Sequence, residues 1–451
     1  MSLFERVLVA NRGEIAVRVI RACQSLGIAT VAAVSEADRD SMAAHIADRT
    51  VCIGPAKATQ SYLKADALVM AALGTGCQAV HPGYGFLSER ASFSRMCREA
   101  GVTFIGPSPE AIEAMGNKIA AVRIAQEAGV PRVPGSGRLE SAEQAVGVAR
   151  EIGYPVLLKA AAGGGGRGMR VVRQEGDMAS AMASAAAESG AAFGDATLYL
   201  EKFIERARHI EIQVLADAHG NVLHLGERDC STQRRHQKLI EEAPSPVIDD
   251  EIRRQLGEAA VGLARRVNYQ GAGTVEFVFD AQTRQFYFLE MNTRIQVEHP
   301  VTEMVSGRDL VAEQIRIAAG EPISFSQDDV RLQGHAIECR INAEDAQRNF
   351  APAPGTLTRW SPSEGEGIRT DSHCYEGYAI PPFYDSLLGK LIVHADDRDR
   401  AVQKMIEALR GFEVAGVPTT IPFHLAVLQH PDFQSALVTT RWVEETLLDQ
   451  A

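Results

Sequence analysis

Residues 271–300 read GAGTVEFVFDAQTRQFYFLEMNTRIQVEHP, and the remainder of the chain is interpreted outward from this stretch. Side chains alternate in the strand period at residues 274–280, and they do so again at residues 285–291 after a short polar break. Two such runs predict a β-hairpin, here turning about Thr283. Because successive side chains of a strand point to opposite faces, the two faces of this hairpin receive different residues.

One face of the predicted hairpin carries acidic and amide side chains. In this register Glu276 lies across from Glu290, and Asp280 and Asn292 share their face. Opposed like charges destabilise a strand pair by roughly 0.2–1 kcal/mol. Mg²⁺ between the two carboxylates would reverse that sign, because carboxylate and amide oxygens are its preferred ligands. The other face is predicted to be apolar and to carry Val275, Phe277, Phe279, Tyr287, Leu289 and Met291.

More polar residues follow the second predicted strand closely. Arg294, Gln296, Glu298 and His299 come after Glu290 on a segment that ends at a proline. On their own, two glutamates on a hairpin would most simply line a solvated sheet face. The density of polar side chains that follows them instead favours a metal site with a neighbouring pocket for anionic substrates.

The composition is that of an ordinary globular protein of 451 residues, with 45% hydrophobic and 23% charged residues. A net charge of −12 without a basic stripe argues against a general nucleic-acid binder. Seven scattered cysteines without a CxxC pair fit a reducing compartment and support neither a zinc site nor a disulfide framework. No signal-peptide core or membrane-length apolar run is present. We therefore expect a cytoplasmic protein that binds neither nucleic acid nor membranes.

The amino-terminal part alternates predicted strands with predicted helices. The strands are predicted at residues 7–10, 29–34, 79–80 and 103–105. With a helix at residues 14–26, this βαβ pattern predicts a parallel, doubly wound sheet. The first turn, ANRGEI, lacks GxGxxG, so no dinucleotide is assigned to it. The loop HPGYGFLSE at residues 81–89 follows a strand, where such folds bind ligands, although a tight structural turn explains it equally well.

A glycine run lies inside a second predicted hairpin. Residues 154–172 read YPVLLKAAAGGGGRGMRVV, with Lys159 on the first strand and Arg167 within the run. Glycine lets backbone N–H groups approach an anion closely, and the two cations add positive charge. The Walker pattern is absent and the run leads into a strand, so it is not a P-loop. A flexible linker is the alternative, but a lysine at the base of a hairpin favours a phosphate-binding loop.

Residues 227–238, ERDCSTQRRHQK, form a dense polar run that we interpret as a loop. It follows two predicted strands, at residues 198–204 and 209–215. The run is either a solvated charged loop or, because it combines Gln233, His236 and Lys238 with small uncharged residues, a contact with a polar ligand. The run alone does not decide between the two.

The order of these motifs resembles that of ATP-grasp enzymes and, more narrowly, that of the biotin carboxylases. The family's motifs are matched by HPGYGFLSE, KAAAGGGGRGM, ERDCSTQRRHQK and EMNTRIQVEHPVTE, and the resemblance covers essentially the whole chain. It implies an α/β ATP-grasp fold. Its parts would be an amino-terminal doubly wound parallel-sheet domain at residues 1–115, a linker and glycine-loop lid at 116–204, and a catalytic part at 205–451 that ends in a mixed α+β domain.

The resemblance also implies roles for individual residues. Catalysis is assigned to Lys238, Arg294, Glu298 and Arg340. Bicarbonate is assigned to Lys238, Arg294, Gln296, Val297 and Glu298, and biotin to Tyr84 and Arg340. Mg²⁺ or Mn²⁺ is assigned to Glu276, Glu290 and Asn292. ATP, a substrate, is assigned to Lys118, Lys159, Gly165, Gly166, Met169, Glu201, Lys202, Ile204, His209, Gln233, His236, Glu276 and Glu290.

The implied activity is ATP-dependent carboxylation of biotin through carboxyphosphate. Glu298 would deprotonate bicarbonate, and Arg340 would stabilise the biotin enolate. No biotinylation segment occurs in the chain, so biotin is expected in trans on a biotin carboxyl carrier protein. Carboxyltransferase subunits and a homodimer are also expected, with acetyl-CoA as the final acceptor and pyruvate or another acceptor as the alternative.

Two other functions are compatible with parts of the pattern. One is an ATP-grasp ligase that joins a different carboxylate to an amine, and it would require an amine for turnover. The other is a nucleotide-binding regulatory protein without turnover. The complete set of acidic and basic residues, including Arg294, Glu298 and Arg340, argues against an inactive protein.

Overall fold

The computed structural model describes residues 3–160, 169–193 and 196–448. The chain divides into two compact units. The first comprises the described residues within Met1–Val130, His209–Phe277 and Leu289–Ala451, and the second those within Pro131–Arg208 and Val278–Phe288. The predicted three-part division at residues 115 and 204 stays a prediction.

The strands are β1 Arg6–Val9, β2 Ala29–Ser35, β3 Arg49–Gly54, β4 Ala79–His81, β5 Thr103–Phe104, β6 Val156–Ala160, β7 Arg170–Val172, β8 Leu198–Lys202, β9 Ala207–Ala216, β10 Val222–Arg234, β11 Gln237–Ala243, β12 Gly271–Asp280, β13 Gln285–Asn292, β14 His335–Asn342, β15 Glu344–Asp345, β16 Ala351–Pro352, β17 Arg359–Ser361, β18 Ile368–Ser372, β19 Leu387–Ala395 and β20 Glu413–Ala415. The helices are α1 Gly13–Ser25, α2 Met42–Ile46, α3 Ala65–Thr75, α4 Ala91–Glu99, α5 Pro109–Gly116, α6 Lys118–Glu127, α7 Ala142–Ile152, α8 Met178–Phe193, α9 Asp250–Arg266, α10 His299–Ser306, α11 Leu310–Ala318, α12 Arg398–Gly411, α13 Ile421–Gln429 and α14 Pro431–Gln434.

The amino-terminal sheet is parallel and has the order β3-β2-β1-β4-β5, which confirms the predicted doubly wound domain. Apolar clusters cover both of its faces, because its short strands are apolar on both sides. Strand order reverses between β1 and β4, and ligands of such sheets bind in the crevice beyond the carboxyl ends of those strands. Asn11 follows β1 and donates from Nδ2 to the carbonyls of Pro82 and Tyr84 after β4, at 2.7 Å each. This pair of bonds fixes the HPGYGFLSE loop at the crevice.

The largest sheet has eight strands in the order β13-β12-β9-β10-β11-β14-β19-β18. The predicted hairpin strands, β12 and β13, are neighbours in it, as expected. The predicted apolar face is buried at Val275, Phe277 and Met291. Leu289 is 45% exposed and lines an open cavity.

The polar run at residues 227–238 is not a loop, which corrects the sequence interpretation. It forms the end of β10 and the start of β11, and it turns at Arg235 and His236, both of which have positive φ. Its side chains from Glu227 to Arg234 are buried. Their polar groups bond to one another and to neighbouring strands, so polarity here marks an internal network and not a solvated surface.

In the second unit, β6 lies between β7 and β8 in an antiparallel sheet. Apolar residues of α7, α8 and these strands form its core. The predicted strand at residues 198–204 ends at Lys202, and the predicted glycine loop falls outside the described residues. Among the described helices of the whole chain, none has the length and apolar character needed to cross a membrane.

Candidate active site

Lys238 is the centre of the acidic cluster in the first unit. Its Nζ lies 2.6 Å from Oε2 of Glu211, 2.6 Å from Oε1 of Glu298 and 3.1 Å from Oε1 of Glu276. The three carboxylates come from β9, β12 and the segment before α10, so three elements converge on one ammonium group. Burial would lower the pKa of Lys238, but Glu211 and Glu298 outweigh burial and raise it well above its usual value. The lysine is therefore a fixed positive charge.

Glu276 is held by neutral and cationic donors together. Its Oε1 accepts hydrogen bonds from Nδ2 of Asn292 and Nε2 of Gln296, both at 2.8 Å. Its Oε2 lies 3.0 Å from Nε2 of His209. Burial would raise the pKa of Glu276, but the charge of Lys238 and then the contact with His209 hold it far below the usual range. Glu276 is therefore ionised at neutral pH.

Glu290, the second predicted metal ligand, differs from Glu276 in having no hydrogen-bond or ion-pair partner among the described residues. Partial burial, followed by the negative charge of Glu276, raises its pKa. Glu276 and Glu290 are neighbouring carboxylates, and the side chain of Glu290 is left without an ion-pair partner among the described residues. Carboxylate and amide oxygens suit Mg²⁺. The residues present therefore fit the divalent cation that the sequence predicts.

Glu298 joins Lys238 to a second cation. Its Oε2 accepts from Nη2 of Arg340 at 2.9 Å, and Nε of Arg340 donates to Oε1 of Glu241 at 2.6 Å. Glu298 is 2% exposed. Burial would raise its pKa, but Lys238, Arg340 and then Arg228 hold it well below its usual value. An ionised, buried carboxylate between two cations is the central feature of the site.

Arg294 is anchored by the HPGYGFLSE loop. Oε2 of Glu89, the last residue of that motif, accepts from Nε of Arg294 at 2.8 Å, and its Oε1 accepts from the backbone N–H of Thr293 at 3.0 Å. Nη2 of Arg294 also donates to Oδ1 of Asn292 at 2.9 Å. The loop therefore positions a predicted bicarbonate residue, which favours a ligand-site role over a mere tight turn. Sequence analysis named the loop but gave Glu89 no role of its own.

Arg228 is a further contributor that sequence analysis missed. It is 0% exposed, and its guanidinium donates to Glu211, Gln213, Thr274, Gln296 and Thr302 at 2.5–3.1 Å. Arg228 thereby holds both Gln296 and Glu211, which is one of the three glutamates that contact Lys238. One sequence feature could have indicated a polar cluster here. His209, Glu211 and Gln213 alternate along one strand, and residues two apart share a face.

Tyr84 and Lys118 flank the cluster. The hydroxyl of Tyr84 donates to Glu14 at the start of α1. Lys118 and Glu290 line a cavity of about 390 Å³ beside the HPGYGFLSE loop, and Asn292 and Leu289 line it too.

Gln233 is buried at the end of β10, whereas His236 is exposed at the hairpin turn.

The remaining predicted ATP residues belong to the second unit. Lys159 on β6 forms an ion pair with Glu201 on β8. Nζ of Lys202 donates to the carbonyls of Gly153 and Tyr154 at 2.9 and 3.1 Å. Met169 and Ile204 are half-buried near the ends of β7 and β8. Gly165 and Gly166 lie outside the described residues.

Comparison with known proteins follows the same residues. Family models match in three consecutive parts: "Biotin carboxylase, N-terminal domain" at residues 3–112, "Carbamoyl-phosphate synthase L chain, ATP binding domain" at 117–326 and "Biotin carboxylase C-terminal domain" at 338–445. The biotin carboxylase of Nostoc sp. is 55% identical over 98% of this chain and 99% of its own length. The chain belongs to the biotin carboxylase family. It is an ATP-dependent ligase of the ATP-grasp fold that uses Mg²⁺ and acts on biotin held by a carrier protein.

Other relatives differ in the complexes they serve. A pyruvate carboxylase subunit of Methanothermobacter thermautotrophicus is 50% identical over 98% of this chain and 90% of its own length. The biotin carboxylase domain dimer of Hydrogenobacter thermophilus 2-oxoglutarate carboxylase, solved with MgADP, ADP and bicarbonate, is 51% identical with a TM-score of 0.89. That similarity covers 99% of this chain and 98% of the solved one. The biotin carboxylase family thus serves more than one final acceptor.

Proposed function

We propose that this biotin carboxylase carries out the first half-reaction of an acyl-CoA carboxylase, with bicarbonate activated as carboxyphosphate. The observation that carries the proposal is Glu298, held in its ionised form between Lys238 and Arg340. Bicarbonate is a weak electrophile and needs activation by ATP before its carbon can reach biotin. The proposed order begins with attack of a bicarbonate oxygen on the γ-phosphate of ATP, which releases ADP, and carboxyphosphate then breaks down to CO₂ and phosphate. That phosphate takes the N1′ proton of biotin, and N1′ bonds to the carbon of CO₂.

Glu298 is the proposed general base for bicarbonate. Its low pKa in the resting site makes it a weak base, because Lys238 and Arg340 stabilise its negative charge. Bicarbonate entering beside it would compete for those two cations and so raise its basicity. General-base groups typically contribute about 10²–10⁴-fold in rate, and they are most effective when their pKa lies near the working pH.

The bicarbonate pocket is proposed to consist of Lys238, Arg294, Gln296, Val297 and Glu298. Positive charge at Lys238 and Arg294 suits an anion, and the amide of Gln296 is held by Glu276 and Arg228. Because the segment bearing these residues is fixed at several points, bicarbonate would meet preorganised donors. Preorganised donors require little rearrangement during the reaction, which is why they stabilise transition states well.

The divalent cation is proposed to bind at Glu276, Glu290 and Asn292. When bound, it supplies positive charge for the phosphate oxygens of ATP, which offsets negative charge that accumulates during phosphoryl transfer. Lys118 lies in the same cavity as Glu290 and would add a further cation. His209, Gln233 and His236 are proposed to contact the ribose and phosphates of the nucleotide.

The glycine loop is the proposed lid over the ATP phosphates, and the remaining residues proposed to bind ATP belong to the second unit. Lys159, Glu201 and Lys202 lie on neighbouring strands of its sheet, and Gly165 and Gly166 are proposed to cover the phosphates. Met169 and Ile204 complete the proposed ATP-binding set. A closed lid would protect carboxyphosphate from water.

On the biotin side, Arg340 is proposed to stabilise the enolate oxygen and Tyr84 to lie next to the ring. Arg340 is already oriented by Glu241 and Glu298. A planar guanidinium with two fixed carboxylate partners keeps its remaining donors in a defined direction. Its positive charge is therefore available where negative charge develops on biotin.

We further propose a cytoplasmic homodimer that works with a separate biotin carboxyl carrier protein and carboxyltransferase subunits. All seven cysteines are free, which suits a reducing compartment. Acetyl-CoA is the proposed final acceptor. The similarity to the Methanothermobacter pyruvate carboxylase protein makes pyruvate the alternative.

One experiment tests the function and the partner together. A panel of biotinylated carrier proteins is incubated with the enzyme, ATP, Mg²⁺ and bicarbonate, and each carrier is examined by mass spectrometry. Carboxylation of an acetyl-CoA carboxylase carrier in preference to a pyruvate carboxylase carrier is expected. ATP hydrolysis that requires an amine, with no carboxylated carrier, would identify a different ATP-grasp ligase.

A further inference from the structure

Lys390 on β19 is a charged residue to which sequence analysis gave no role. Its side chain is 0% exposed. Its Nζ donates to the backbone carbonyl of Val297 at 2.7 Å, and it lies 3.1 Å from Oε1 of Glu14 and 3.9 Å from Oδ2 of Asp371. Burying an ammonium group is costly unless it is paired and hydrogen-bonded. The fold retains this one in contact with the segment that carries the proposed bicarbonate residues.

Glu14 connects the same ammonium group to the biotin side. It is 3% exposed at the first turn of α1, and the hydroxyl of Tyr84 donates to it. Lys390 and Tyr84 both contact Oε1, while Oε2 of Glu14 has no hydrogen-bond partner among the described residues. A continuous chain of contacts therefore runs from the Val297 carbonyl through the buried Lys390 and Glu14 to the half-buried Tyr84.

The position of the Val297 carbonyl affects both of its neighbours. Gln296 contacts Glu276, and Glu298 contacts Lys238 and Arg340. Other charged side chains hold the earlier part of this segment, since Glu89 binds it at Thr293 and Arg228 binds it at Gln296. At Val297 the corresponding contact is made by Lys390.

We propose that Lys390 is a positioning residue for bicarbonate, which holds the Val297 peptide in place with Glu14 as its counter-charge. The proposal rests on the proposed function, because Val297 and its neighbours are assigned there to bicarbonate. Small displacements of a binding group reduce the productive population strongly. Loss of the ammonium group should therefore weaken bicarbonate use before it affects ATP.

The competing explanation is that Lys390 only neutralises buried acids. Lys390→Met alone cannot separate the two, because it leaves Glu14 buried without a cation and threatens folding itself. The double variant Lys390→Met/Glu14→Gln removes both charges at once. A neutral pair of similar size is tolerated far better than one uncompensated charge. The double variant should therefore fold, and its kinetics can be measured.

The experiment measures the KM for bicarbonate and the KM for ATP by phosphate release, together with hydrogen exchange of the backbone amides at residues 294–299. The matched control is Lys404→Met, since Nζ of Lys404 also donates to backbone carbonyls, those of Glu366 and His394. The double variant should raise the KM for bicarbonate by roughly tenfold or more, the effect of losing one charged hydrogen bond. Its KM for ATP should change less than about twofold, well below that effect, and its segment should exchange faster. Lys404→Met should change none of these.

An unchanged KM for bicarbonate, or an equal rise in both KM values, would overturn the positioning role. Unchanged amide exchange at residues 294–299 in the double variant would also overturn it. If the wild-type protein shows no bicarbonate-dependent phosphate release, the proposed function itself fails. The wild-type and variant measurements therefore separate the two failures.

Discussion

At the scale of single residues, burial and charge oppose each other, and charge prevails at Glu276 and Glu298. Both are buried, which would raise their pKa values, yet neighbouring cations keep both ionised. Glu290 forms no ion pair among the described residues, and burial together with the charge of Glu276 raises its pKa because Lys118 only partly opposes them. The unequal pair suggests that Glu290 depends on an added metal ion for its charge to be stabilised.

Glu290→Gln tests this dependence. The amide keeps one oxygen but lacks the charge that would attract Mg²⁺, so half-maximal activity should require at least about tenfold more Mg²⁺ as one charge-assisted contact is lost. Activity is measured against Mg²⁺ concentration at saturating ATP. Glu258→Gln, on an exposed stretch of α9, is the matched control and should follow the wild-type curve. A wild-type Mg²⁺ dependence for Glu290→Gln would contradict the metal assignment.

At the scale of elements, charged side chains join strands and loops around the site. Arg228 on β10 contacts β9, β12, α10 and the segment before that helix. Glu89 ties the HPGYGFLSE loop to the same segment. The site is therefore held by side chains from several elements and not by the geometry of one loop.

Arg228→Met should destabilise the protein strongly. The substitution leaves Glu211 with one cation instead of two, and breaking one partner of a buried pair costs about 3–5 kcal/mol. The free energy of unfolding is measured by denaturant titration. Arg254→Met, on the exposed face of α9, should change it by less than about 0.5 kcal/mol. A loss of similar, small size in both variants would show that the Arg228 network does not hold the sheet together.

At the scale of the whole molecule, the fold was more predictable from sequence than the site. Periodicity identified β1, β2, β12 and β13, because their alternation or apolar runs depend only on which face is buried. The polar run at residues 227–238 was misread as a loop, since its partners come from residues far away in sequence. Local alternation also does not reveal that Leu289 lines an open cavity. Lys390 has no local signal at all, since it meets Val297 and Glu14 only in the folded chain.

The folded molecule should lose stability in mild acid because of buried histidines. Burial lowers the pKa of His81 and His373 to about 3 and that of His424 to about 4, and each ring has one nitrogen without a partner among the described residues. In the unfolded chain these rings take up protons once the pH falls below their ordinary pKa of 6.5, whereas the folded state does not. Stability is therefore complete above that value and is lost as the pH falls toward the folded pKa values.

Each such histidine should lower the free energy of unfolding by up to about 1.4 kcal/mol for every pH unit below its unfolded pKa. The Tm should therefore fall between about pH 7 and pH 5.5, within the range where an unfolded histidine titrates. His373→Asn should give a shallower dependence of Tm on pH than the wild type, whatever its Tm at neutral pH. An identical dependence in both proteins would exclude His373 as a contributor.

The central claim, that Glu298 acts on bicarbonate and Arg340 on biotin, is tested most directly by measuring phosphate release and carboxybiotin on the same samples. Wild type, Glu298→Ala and Arg340→Ala are compared with bicarbonate present and withheld. Arg340→Ala should retain bicarbonate-dependent phosphate release but form no carboxybiotin, because carboxyphosphate can still form and decay. Glu298→Ala should lose both by about 10²-fold or more. Retained phosphate release in Glu298→Ala, with both products lost in Arg340→Ala, would contradict the account.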